Sequence, residues 1–221
     1  MQRRQPMAGA DGNNRRIHKP TKFLGRDFEA FGGVEDPVAA SRIAHETAAA
    51  LLERVRRHRN PEVVARLVAY TDEHGIDTIA EMWAGAEPRT LPGALWRVYV
   101  LRAMIHREPD AASLLYTRGA EQTQSIDPVV AGAAAPAGPD EIRALADQIL
   151  RGLFEGDFAV ALERAAAYCR ISATGCLSLA HDAGTTDPRR APELTDRAVW
   201  FTRLSNELGA AARLWRSGSL D

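Results

Sequence analysis

This chain of 221 residues has only two cysteines, only two lysines and an aromatic content of 6%. Two cysteines cannot build a disulfide framework, and they suit a reducing compartment. No window approaches the ~18 uninterrupted apolar residues of a membrane span, so a transmembrane helix is excluded. The opening MQRRQPMAGADGNNRR is charged without an apolar stretch and does not read as a secretory signal. A cytoplasmic protein with no membrane attachment is therefore expected. No segment alternates with period two over five or more residues, which argues against strands. No repeat of solenoid length is present. Charge of a single sign is missing too: 28 basic residues face 29 acidic ones, so the chain as a whole is no polyanion binder.

Apolar residues make up 45%, enough for a core in one large domain or two small ones. Alanine occurs 39 times, and arginine supplies nearly all the basic charge. That bias resembles a high-GC genome, so an arginine at a given place is weak ground for inferring anion recognition. The charge is unevenly spread. Residues 1–26 hold Arg3, Arg4, Arg15, Arg16, Lys19, Lys22 and Arg26 against the single acid Asp11. With few large apolar residues to offset ordering, this segment reads as a disordered basic tail on an acidic helical domain, 27–221. Phosphate contact through those seven side chains is one reading; loose docking on the acidic body is the other.

The punctuation is helical. Asp36-Pro37 and Asn60-Pro61 each pair a cap with a first-turn proline. After the first, Ala44, Ala48, Leu51, Val55 and His58 predict a helix near 37–59, with the basic run Arg54, Arg56, Arg57 and Arg59 at its end. Val64, Leu67, Val68 and Thr71 mark a second helix, and Asp77 caps a short third that includes Met82 and Trp83. Residues 91–107 are apolar nearly all round, which predicts a buried central helix. A short helix over 111–118 follows. Residues 124–139 read as a proline, alanine and glycine connector and a candidate domain seam. Helices are expected from Pro139 to about Leu153 and over 158–174, with a polar loop at 182–191. Leu194, Ala198, Phe201, Ser205, Leu208, Ala212 and Trp215 recur in heptad steps, a seam that needs a partner helix inside the fold or on a second subunit. The sum is an all-α bundle of about seven to eight helices with a long C-terminal helix.

Reaction-centre motifs are scarce. The histidines (18, 45, 58, 74, 106 and 181) are scattered, and none joins a carboxylate or cysteine at a metal-ligand spacing. Cys169 and Cys176 would share one helix face with Cα atoms about 10 Å apart. That is beyond disulfide reach, so they read as small buried apolar residues. The glycines form neither a P-loop nor a dinucleotide fingerprint, and no G-x-S-x-G occurs. No cofactor is expected. The helix pair over 60–83 makes a poor helix-turn-helix, because its second helix is acidic where a recognition helix should be basic. Trp83 and Trp96 read as core.

Arg102 breaks the pattern. It falls about 40° from Val98 and about 60° from Ile105 on the wheel, inside an apolar face. A buried guanidinium needs compensation. It either receives an anionic ligand together with His106 and Tyr99, or pairs internally with Glu81, Glu163 or Glu207.

ALWRVYVLRAMIHREP (94–109) and LRGLFEGDFAVALERAAAYCR (150–170), with PAGPDEIRALAD (136–147), resemble a family of small all-helical actinobacterial proteins without an established function. The resemblance implies a cytoplasmic bacterial protein and assigns no catalytic or binding residue. The expected function is a non-enzymatic interaction or regulatory role through a protein partner, with self-association through residues 194–215 as one route. The alternatives are a nucleic-acid-associated protein using the basic tail, and a small-molecule binder or enzyme with an anion pocket at Arg102.

Overall fold

Proline opens one helix after another. Pro37, Pro92, Pro109, Pro128 and Pro139 each stand at the first or second helical position, where no N–H is needed and φ is already helical. The structure, a computed structural model, describes residues 37–58, 82–132 and 137–220. These contain seven α-helices and no strand: α1 (Pro37–His58), α2 (Leu91–Arg107), α3 (Pro109–Gln122), α4 (Asp127–Ala131), α5 (Pro139–Glu155), α6 (Phe158–Thr186) and α7 (Arg190–Arg216). The chain is all-α with a long C-terminal helix. Among the described residues no helix is long and apolar enough to cross a membrane. The expected basic tail, and the helices expected within 59–81, lie outside the described residues.

Caps set several boundaries where the sequence puts them. Thr90 accepts a hydrogen bond from Gly93 N at 3.2 Å at the head of α2, and Asp157 accepts from Val160 N at 3.1 Å at the head of α6. Two boundaries differ from expectation. α3 is longer than 111–118. α6 runs to Thr186, which replaces the expected 182–191 loop with a three-residue link at 187–189. The extra turns persist because Gly175, Cys176 and Ala183 are buried. Near the helix end, Thr185 and Thr186 return their hydroxyls to the Asp182 carbonyl at 3.0 and 3.1 Å.

The hub is α6, not the expected α2. α6 packs on α7, α3, α4 and α5, whereas α2 leans mainly on α5, α1 and α7 and leaves Ala103 exposed. Alanine accounts for the difference: Ala159, Ala161, Ala165, Ala166 and Ala167 are all buried, so neighbours can approach α6 closely from several sides. α3 meets α6 backbone against backbone. A Cβ on Gly119 would sit 1.9 Å from the Ile171 carbonyl oxygen, and one on Gly175 would sit 1.9 Å from that of Leu115. The two glycines let the backbones touch at the crossing.

The heptad seam finds its partner inside the chain. Leu194, Ala198, Phe201, Ser205, Leu208 and Ala212 are buried as α7 runs along α6, and Trp215 rests on Phe158 with centroids 4.4 Å apart. The connector is partly structured as well. Residues 127–131 form α4, which two α6 arginines hold. Arg170 Nε donates to Asp127 Oδ1 and Oδ2 at 3.0 Å, and Arg164 Nε donates to the Ala131 carbonyl at 3.2 Å. Gly132, at φ 83°, ends α4 in the left-handed region beneath the Arg164 guanidinium.

Candidate functional site

Arg102 is almost wholly buried, its side chain 6% exposed. Its Nε donates to Asp147 Oδ1 at 2.7 Å, and His106 Nε2 lies 2.9 Å from the same oxygen. Spacing explains the convergence: Arg102 and His106 are one turn apart on α2, and α5 brings Asp147 alongside them. Two of the three expected carboxylates are engaged elsewhere. Glu207 pairs with Arg97 at 2.5 Å, Glu163 takes both Nη atoms of Arg216, and Glu81 lies outside the described residues. Tyr99 has its ring 6.2 Å from Trp83, and its buried hydroxyl has no hydrogen-bond partner among the described residues. Burial pushes the Tyr99 phenol well above its ordinary range, and the Arg102 charge opposes that rise.

An anion pocket required Arg102 beside a cavity with no carboxylate in reach. Asp147 supplies a carboxylate to Arg102, with His106 within hydrogen-bond distance of the same oxygen. The sequence holds no sign of this partner, since Asp147 merely borders the apolar face of its own helix.

The interior holds other polar groups. The Tyr116 and Tyr168 rings stack with centroids 5.5 Å apart and planes 15° apart. Among the described residues their buried hydroxyls have no partners, and Ser172 Oγ lies next to Tyr168 without closing a well-formed hydrogen bond. Cys169 and Cys176 are free and buried. Burial raises both thiols, Cys176 to about 11 and Cys169 further, so neither is a thiolate near neutral pH. This matches the reading of small apolar residues. Among the described residues, no three His, Cys, Asp or Glu side chains gather as a metal would require.

The basic run at the end of α1 is not one open face. Arg56 turns inward, its Nη2 donating to the carbonyls of Leu153 at 3.1 Å and Gly156 at 3.4 Å, where α5 ends. Its guanidinium lies over the rings of Trp215 and Phe158, at 5.4 and 5.9 Å. Desolvation lowers its pKa, partly countered by Asp157. Arg57 pairs with Glu53, and Arg59 lies outside the described residues. The tail candidates Arg3, Arg4, Arg15, Arg16, Lys19, Lys22 and Arg26 also lie outside them.

Two surface clefts stand out, and neither is lined by Tyr99, Arg102 or His106. One, of about 490 Å³, lies beside Arg56 and Trp215. The other, of about 440 Å³, is lined by Arg89, Leu177, Val199, Thr202, Arg203 and Asn206 among others. Leu177 is 54% exposed and Val199 65%. Glu207 at its edge is neutralised by Arg97, whereas Arg89 and Arg203 form no ion pair among the described residues. Sequence periodicity pointed to the buried side of α7 and gave no reason to single out this outer side.

No protein-family model, curated protein or solved structure matches the chain.

Proposed function

We propose that this protein is a non-enzymatic helical interaction or regulatory protein whose contact face is the outer side of α7 with Leu177 and Arg89. The contrast between two sets of charges carries this reading. In the interior, Arg102 and His106 close on Asp147. In the cleft, Arg89 and Arg203 stand unpaired among the described residues, beside exposed Leu177 and Val199. A single exposed aliphatic residue is ordinary. Two converging in one cleft, next to uncompensated cations, make a surface suited to a partner with apolar anchors and negative charge. The resemblance to small helical actinobacterial proteins fits a bacterial cytoplasmic setting for this role.

The test is a photo-crosslinking residue at Val199 of the full chain, expressed in a bacterial cytoplasm. Discrete adducts heavier than the chain are expected. The same group at Val129, 82% exposed on α4, serves as the control and should give far fewer. Equal labelling from both positions, or none from Val199, would contradict the proposal.

A further inference from the structure

The heptad seam of α7 is spent on α6, which leaves the opposite side of the helix for any partner. On a helical wheel, Thr195, Asp196, Thr202, Arg203 and Asn206 all fall within about 60° of Val199. Each is exposed. The stripe changes sign about its centre. Asp196 lies about 4.5 Å below Val199 along the axis and Arg203 about 6 Å above it, on the same flank. Thr195 and Thr202 hold the corresponding positions on the other flank. Asp196 and Arg203 are about 10 Å apart by helical rise, too far to pair with each other. Neither has an ion-pair partner among the described residues.

A two-fold axis that runs a helix antiparallel to its own copy reverses position along the axis and keeps the flank. Applied at Val199, it sets Asp196 of each chain opposite Arg203 of the other, Thr195 opposite Thr202, and Val199 on Val199. Such self-complementarity is what an isologous interface requires. We infer that the partner on this face is a second copy of the chain, paired antiparallel through α7 about Val199. The inference rests on the proposed contact face and names its occupant. One helix stripe with flanking Leu177 and Arg89 is a small interface, so the dimer forms at about micromolar concentrations rather than permanently. Its two ion pairs are exposed at the rim, so added salt weakens it.

The experiment is sedimentation of the purified full chain across a concentration series, with charge-swapped variants. The mass should rise from 24.1 kDa toward twice that value. Asp196→Arg and Arg203→Asp each place like charges opposite each other and should weaken the dimer about tenfold or more. An equimolar mixture of the two variants restores both attractive pairs in trans and should dimerise again, as should the double variant. Helical circular dichroism and thermal midpoint, which these exposed positions should leave unchanged, report folding. If a swapped chain unfolds, the salt dependence of the wild-type dimer decides instead. A chain monomeric throughout, or a dimer indifferent to the swaps or to salt, would overturn the inference. Val199 adducts to a different protein, with the purified chain monomeric, would keep the contact face and reject the second copy. An absence of Val199 adducts together with a monomeric chain would reject both.

Discussion

At the scale of single residues, charges in the interior are settled by neighbours from other helices. Arg102 illustrates it: a guanidinium 6% exposed is tolerable because Asp147 meets it at 2.7 Å. Asp147→Ala removes an acceptor oxygen that Arg102 and His106 share and should lower stability by about 1.5–3 kcal/mol, whereas Asp147→Asn, which keeps an acceptor, should lose less. Urea unfolding with an unchanged slope measures both; a harmless Asp147→Ala would mean that these contacts are not structural. Asp127 brings in pH. Its hydrogen bonds from Arg170 hold the carboxyl below the usual range, helped by Ser125 and opposed by partial burial. A lowered native pKa stabilises the fold fully above the unfolded carboxyl's value near pH 4, and that stabilisation fades as pH falls through the native value. Asp127→Asn should be less stable than wild type at neutral pH, with the gap closing in acid. A gap that stayed constant or widened toward low pH would contradict this assignment.

At the scale of elements, helix starts were largely legible in the sequence because prolines and caps act locally. Pro37, Pro139 and Phe158 open helices where their cap signals place them. Helix ends were less legible. α6 outlasts its expected end because α7 lies along it, and this tertiary support outweighs the low helix propensity of Gly175, Gly184 and the threonines. The Asp147 contact of Arg102 was hidden for a similar reason: which carboxylate reaches a helix depends on which helix packs there. The glycine crossing of α3 and α6 separates packing from propensity. Gly119→Ala drives a Cβ onto the Ile171 carbonyl and should cost about 1–3 kcal/mol. Gly184→Ala, on the same α6 helix with nothing within 4 Å of its would-be Cβ, should instead stabilise by up to about 1 kcal/mol. Thermal unfolding of the two variants reads the difference; like-signed shifts would mean that the helices do not touch at Gly119.

At the scale of the whole molecule, the bundle turns its best-formed heptad seam inward. Leu208 and Phe201 are buried against α6, so self-association through that seam would require opening the fold. What α7 offers outside is a weaker, charge-patterned stripe suited to reversible contact. The two faces of this one helix therefore divide the work: one holds the domain together and the other meets a partner. Hydroxyl-radical footprinting of the full chain at low and high concentration tests that division most directly. Val199 and Leu177 should lose reactivity at high concentration, while Val129 and Val160, exposed on α4 and α6, should react alike at both. Unchanged reactivity at Val199, or protection at Val129 or Val160 instead, would contradict it.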